Sequence, residues 1–242
     1  TDEYGTATET KARQENLTEK EICDKYHEIH KKVYQWFNID FDYFGRTTTE
    51  NQTKIAQEIF MKIVENDLLI EKKSQQYFCP ALNTFLADRY ISGKCPYCGA
   101  SDANGDQCDN CGKLLDPIQL INPFCKSNPE LEIVLKETEH LYIDLPKIEK
   151  ELKQWFDQNK EGWSKNAISN TQAWFDKGLE PRCITRDLKW GTPVPNTEKF
   201  GDKYKDKVFY VWFDAPIGYI SITSNFTDEW EKWWKNSLDF PV

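Results

Sequence analysis

Cys95-Pro-Tyr-Cys98-Gly-Ala-Ser-Asp-Ala-Asn-Gly-Asp-Gln-Cys108-Asp-Asn-Cys111-Gly112 is the stretch around which the rest of the chain is read. Each Cys-x-x-Cys pair forms a tight turn that aims two sulfurs at one point. Two such turns nine residues apart supply four thiolates, the tetrahedral shell that Zn²⁺ takes in structural sites. No open coordination position is evident, so the expected metal is one structural zinc. Gly99, Gly105 and Gly112 stand where such turns need positive φ or close backbone approach. Two disulfides, free thiols or an iron ion in S₄ geometry are the chemical alternatives.

The chain has 242 residues, 39% hydrophobic, 14% aromatic and 29% charged, with a net charge of −9. That is a globular composition with a core rich in Trp, Tyr and Phe. No apolar run approaches the ~20 residues that cross a bilayer, so no membrane partner is expected. Eight cysteines are too few for a disulfide scaffold of this length. Four fit the metal spacing and Cys23, Cys79, Cys125 and Cys183 are scattered, which points to a reducing cytoplasm. In that setting the Asn-x-Thr sequons at Asn16, Asn51 and Asn225 are chance matches. Net acidity argues against a free-standing nucleic-acid binder, whose affinity comes from neutralising phosphates.

Outward from the cysteines, the N-terminal side begins with Thr1-Asp-Glu-Tyr-Gly-Thr6, read as a strand end turning into a helix capped by Thr6 or Thr8. Thr18-Glu-Lys-Glu21 is a capping box opening a helix whose stripe is Ile22, Tyr26, Ile29, Val33, Trp36 and Phe37. His27 and His30 flank that stripe and are expected at the surface. Asn38 to Gly45 alternates as a short strand, and Thr49-Glu-Asn-Gln52 opens a helix through Val64. From Leu68 short strands and turns are expected to about Leu131, with the metal replacing a core. On the other side, Asp144-Leu-Pro146 starts a helix, and Ser164 to Lys177 forms another, closed by Gly178. Lys207 to Phe213 is the strongest strand signal, continuously apolar from Val208 to Phe213, the signature of a central parallel strand. Thr227 to Trp234 reads as a last helix. The fold class is α/β: two pieces of one parallel sheet with a metal-bearing arm between them.

Beyond the apolar strand lies Asp214-Ala-Pro-Ile-Gly-Tyr219. Ala215 and Gly218 leave space, Pro216 fixes a turn, and Trp212 and Tyr219 give aromatic walls. A thioether suits such walls, because sulfur packs well on aromatics and accepts only a weak hydrogen bond. A core turn packed by aromatics fits the same residues as well.

Three stretches together resemble the eukaryotic-type cytosolic methionyl-tRNA synthetases, a family of class I aminoacyl-tRNA synthetases. They are Thr1 to Thr10, the block Phe85-Leu-Ala-Asp-Arg89 through Cys111, and Cys183-Ile-Thr-Arg-Asp-Leu-Lys-Trp-Gly-Thr-Pro-Val-Pro195 with Lys207 to Tyr219. The resemblance covers essentially the whole chain. It implies a Rossmann-type catalytic domain over residues 1–65, a connective peptide with a zinc knuckle over 66–179, and the catalytic domain continued over 180–242. It also implies that Asp2 binds the methionine α-ammonium and that Trp212, Ala215, Pro216 and Tyr219 line the methionine pocket, with the Tyr219 hydroxyl meeting the sulfur. Arg186 matches an active-site arginine used in activation, and Cys95, Cys98, Cys108 and Cys111 match the zinc ligands.

The implied reaction is ATP-dependent activation of methionine followed by transfer to tRNA(Met), with Mg²⁺ assisting. The implied partners are methionine, ATP and tRNA(Met), together with a multi-synthetase complex. Sibling synthetases for Ile, Val and Leu carry a much larger insertion, so its small size here argues against them. The HIGH and KMSKS sequences that hold ATP in this family are not in the chain, which is therefore expected to be an internal stretch of a longer synthetase, inactive alone. Some relatives carry a second knuckle. Here Cys79 and Cys125 remain, but Leu82 and Asn128 stand at the partner positions, so one metal per chain is expected. The alternative function is a zinc-stabilised binding module without its own active site, in which Trp212 and Tyr219 are buried core.

Overall fold

The computed structural model describes residues 1–235; residues 236–242, the end of the expected third segment, lie outside the described ones. Three helices come first: α1 (Thr6–Glu15), α2 (Glu19–Trp36) and α3 (Glu50–Glu65). Helix α2 starts on the expected capping box, with Thr18 and Glu21 exchanging side-chain to backbone bonds. Helix α1 does not start on a threonine. Its N-cap is Gly5, at φ 100°, and the Thr8 hydroxyl instead donates back to the Glu3 carbonyl at 2.9 Å. The stripe of α2 is buried only at its start, at Ile22 and Cys23, while Ile29, Val33, Trp36 and Phe37 face solvent.

No strand forms over 38–45. Asn38 takes a left-handed φ of 54°, which breaks the extended run at its first residue. Phe41 and Phe44 then pack on Tyr34, with ring centroids 5.0 and 5.5 Å away.

Strand β1 (Leu69–Cys79) pairs antiparallel with the later strand β6 (Val134–Ile143), Leu69 opposite Ile143 and Phe78 opposite Val134. This long hairpin is the stem of the arm. At its tip sit β2 (Thr84–Phe85), β3 (Ile91–Lys94), β4 (Ala103–Asn104) and β5 (Ile121–Cys125), with the second sheet ordered β4-β3-β5. The strands at the tip are short, as expected, but they do enclose a core. Tyr77, Leu86, Tyr90, Ile91, Ala103 and Leu120 are buried around the cysteines.

Helices α4 (Leu145–Asn159) and α5 (Lys165–Lys177) follow. Ser164 caps α5 through the Ala167 amide at 3.2 Å, and Gly178 ends it at φ 84°. Three two-residue strands come next: β7 (Arg182–Cys183), β8 (Thr185–Arg186) and β9 (Val208–Phe209).

The mixed α/β class stands, but the pairings among the described strands are antiparallel, including β8 with β9. The apolar run from Lys207 is therefore not a central parallel strand. Its strand stops at Phe209, the Tyr210 amide bonds the Ile184 carbonyl at 2.8 Å, and Val211–Asp214 coils into α6. A short apolar run does not by itself separate strand from buried helix. A 3₁₀ turn (Ala215–Ile217), α7 (Gly218–Phe226) and the short α8 (Trp230–Trp234) complete the described chain. Ile55, Phe60, Leu69, Leu141, Ile184 and Phe209 form the main core, which joins α3 to the stem of the hairpin.

Candidate functional site

The four cysteines converge. Their sulfurs lie within 4.8 Å of one another, with Cys95 to Cys111 at 3.9 Å and Cys98 to Cys108 at 3.6 Å. A regular tetrahedron with metal–sulfur bonds of about 2.3 Å has edges of about 3.8 Å, so the cage has the size of a tetrathiolate site. Gly99 and Gly112 adopt φ of 76° and 70° just after each Cys-x-x-Cys turn. Gly105 serves by close approach, since a Cβ there would collide with the Asp88 carbonyl oxygen. Donors surround the sulfurs: the Tyr97 amide reaches Cys95 Sγ at 3.4 Å, and Asn110 Nδ2 reaches Cys98 Sγ at 3.4 Å. The Asn110 amide leads in lowering the Cys98 thiol, to about 6. Such donors favour thiolate, the form that binds metal. Cys79 and Cys125 are buried but join no metal-sized group among the described residues, and Cys125 Sγ rests 3.2 Å from Ser127 Oγ.

The second group is the turn Val211–Tyr219 with the N-terminal segment. The Thr1 carbonyl accepts from the Thr47 amide at 3.1 Å, and Thr47 Oγ1 accepts from the Glu3 amide at 3.1 Å. Thr47 also lies so close to Gly218 that a Cβ there would meet its methyl at 2.9 Å. Gly5 faces Val211 at a looser distance, where a Cβ would lie 3.6 Å from the Val211 side chain. These contacts bring Asp2 and the turn into one neighbourhood. Asp2 is exposed, and the atoms around it push its carboxyl above the usual range by desolvation. A cleft of about 240 Å³ is lined by Asp2, Glu3, Thr8, Tyr26 and His27, but by none of residues 212–219. His27 is not a plain surface residue: it stacks on Phe44 at 4.8 Å and its Nδ1 lies 3.0 Å from Thr1 Oγ1. His30 is exposed.

Trp212 and Tyr219 are 69% and 74% exposed, so neither is a core residue. Pro216 is exposed and Ala215 is half-buried beside them. Arg186 stands apart from this turn by its own contacts. Its guanidinium lies 3.8 Å over the Tyr210 ring and donates to the Thr185 carbonyl at 2.8 Å and to Cys183 Sγ at 3.0 Å.

Sequence reading missed the residues that hold the turn from behind. Gln52 is wholly buried, and its Nε2 donates to the Asp214 carbonyl at 2.9 Å. Thr192 Oγ1 donates to Asp214 Oδ1 at 2.8 Å. Gln52 was legible only as part of a capping motif, and nothing in the local sequence ties Thr192 to Asp214.

The family described as tRNA synthetases class I (M) matches residues 1–241, and the chain belongs to it. The chain is 58% identical over 98% of its length to a probable cytoplasmic methionine--tRNA ligase of Dictyostelium discoideum, covering 32% of that protein. It is 56% identical over the same share to the cytoplasmic methionine--tRNA ligase of Saccharomyces cerevisiae, covering 31%. With that of Homo sapiens it is 54% identical, covering 26%. It therefore spans about a third or less of the curated relatives it matches. Among solved structures, Mycobacterium tuberculosis methionyl-tRNA synthetase bound by methionyl-adenylate shares the fold, with a TM-score of 0.62 at 15% identity, over 96% of this chain and 40% of that one.

Proposed function

We propose that this chain is the amino-acid-binding and metal-bearing part of a cytoplasmic methionine--tRNA ligase. The observation that carries the reading is identity above half, along nearly the full chain, with relatives that bear that name. In the whole enzyme the reaction is activation of methionine by ATP with Mg²⁺, then transfer to tRNA(Met). Residues 1–65 and 180–242 belong to the catalytic domain and 66–179 to the connective peptide.

Asp2 takes the substrate ammonium in a charge-assisted contact. Trp212, Ala215, Pro216 and Tyr219 take the thioether side chain, and the exposure of both aromatics leaves them free to meet a ligand. Arg186, fixed on Tyr210, supplies positive charge to the activation step. Cys95, Cys98, Cys108 and Cys111 hold one structural zinc, which supplies cross-linking of the arm and no chemistry at the reacting atoms.

The test is methionine activation by the full-length enzyme, wild type against Tyr219→Phe. Loss of the hydroxyl raises the methionine KM; an unchanged KM and turnover would remove the pocket assignment.

A further inference from the structure

Asp214 is set among the pocket residues but is itself buried, 1% exposed, at the end of α6. Oδ1 is held by the Thr192 hydroxyl at 2.8 Å. Oδ2 is buried and takes no hydrogen bond among the described residues. A buried carboxylate oxygen without a donor is costly unless positive charge reaches it from nearby. Among the described residues no ion pair joins Asp214 to a lysine or arginine, and the charged group that acts on it is Asp2.

We propose that Asp214 is a positioning residue for the substrate ammonium: its carboxylate lies behind the Ala215–Tyr219 turn and adds a second negative charge to that of Asp2, so that a cationic amine is drawn to and held at this end of the pocket. The proposal rests on the amino-acid site described above. Two neighbouring carboxylates repel each other when the site is empty, and a bound ammonium relieves that repulsion. The groups facing Asp214 fit this account. Asp2 approaches from the N-terminal segment, the Tyr4 phenol feels the Asp214 charge, and Gln52 and Thr192 are neutral donors. Burial first, and then Asp2, push the Asp214 carboxyl up to about 6, against the hydrogen bond that Thr192 donates to Oδ1. Protonation below that pH removes the second charge.

The experiment uses full-length enzyme and two ligands: methionine, and 4-(methylthio)butanoate, which keeps the thioether and carboxylate but lacks the ammonium. Asp214→Asn raises the methionine KM by about tenfold, the size of a lost charge-assisted contact, and leaves the inhibition constant of the amine-free acid unchanged or lower. Equal weakening of both ligands would make Asp214 a merely structural residue and overturn the proposal, as would no change in either. If Asp214→Asn does not fold, Asp2→Asn enzyme answers instead. Its methionine KM still rises as pH falls, now at a lower pH than in wild type because the Asp2 charge no longer raises the Asp214 carboxyl, while inhibition by the amine-free acid shows no such rise; a flat methionine profile overturns the proposal. The pocket reading fails separately, if Asp2→Asn leaves the methionine KM at the wild-type value at pH 7.5.

Discussion

His140 Nε2 lies 3.1 Å from a carboxylate oxygen of Asp187, joining the stem of the metal-bearing arm to the segment that carries Arg186. His140 Nδ1 is 3.0 Å from Thr185 Oγ1, and that oxygen also accepts the Leu141 amide at 3.1 Å. Asp187 further accepts from the Thr138 hydroxyl at 2.7 Å and pairs with Lys207. Both residues flanking Arg186 are thus tied to β6 by buried polar contacts. Such contacts hold a strand in place by charge and hydrogen bonding as well as by packing.

The network predicts a loss of stability in acid. Burial pushes the Asp187 carboxyl up, but His140, Lys207 and Thr138 outweigh it and hold it down at about 2. The unfolded value is about 3.9. A folded value below the unfolded one stabilises above about pH 4, and that contribution is lost as pH falls through 4 toward 2. It amounts to at most about 2 kcal/mol once partial solvent contact is allowed for. Urea unfolding of wild type and Asp187→Asn at pH 6 and pH 3 checks this: the gap between them narrows at the lower pH. A constant gap would show that the carboxylate charge contributes nothing.

Metal content gives a second outcome. The cage predicts one equivalent of zinc per chain, retained in Cys79→Ala and lost in Cys98→Ser. Because the tip of the arm has a modest core of its own, chelation loosens residues of β3 to β5 first and leaves the β1–β6 stem paired, as hydrogen exchange would report. Two equivalents of zinc by elemental analysis would mean that Cys79 and Cys125 bind metal as well.

Those cysteines were legible because a tetrathiolate needs four sulfurs at fixed local spacing, and local spacing is what a sequence displays. The cap at Thr18 and the stop at Gly178 were legible for the same reason. The β1–β6 hairpin was half legible: Leu69 to Cys79 reads as strand, but Val134 to Ile143 carries Lys136, Glu137, Glu139 and His140, and their partners lie far along the chain. The run from Lys207 misled because continuous apolarity reports burial and not backbone shape. Within that run Trp212 is exposed after all, its ring turned outward by the coil of α6. The contacts of Asp214 were invisible because they come from Gln52 and Thr192, 162 and 22 residues away.

Close approach at the arm gives a third outcome. Gly105 is not in a left-handed conformation, so conformational freedom is not its reason. A Cβ there would strike the Asp88 backbone oxygen and come within 3.0 Å of Pro117 Cγ. Backbone does not step aside cheaply, and overpacking of this kind costs about 1–3 kcal/mol. Gly105→Ala therefore lowers the melting temperature, whereas Gly162→Asn, at φ 90° with open space around it, does so far less. Equal effects would refute the steric account.

Gln52 carries the last outcome, and it separates two explanations of a buried amide. The sequence places Gln52 at the third turn position of a capping box, where its side chain would reach back to Thr49. Instead Thr49 caps alone, accepting the Gln52 amide at 3.2 Å, while the Gln52 side chain turns inward. There its Nε2 serves the Asp214 carbonyl and its Oε1 accepts from the Ser221 hydroxyl. One amide thus satisfies one buried group on either side of the pocket turn. Gln52→Ala takes this donor from the Asp214 carbonyl and leaves the Ser221 hydroxyl only its longer bond to the Gly218 carbonyl, at a cost of about 1–3 kcal/mol for a group left unsatisfied, beyond the cavity. Ser221→Ala alone removes a donor that also reaches the Gly218 carbonyl at 3.3 Å. If buried polar groups dominate, the Gln52→Ala, Ser221→Ala double variant is more stable than the sum of the single costs, because the second change removes the hydroxyl that the first had left with only its longer bond. Strict additivity in urea unfolding would mean that packing volume, not hydrogen-bond satisfaction, is what Gln52 provides.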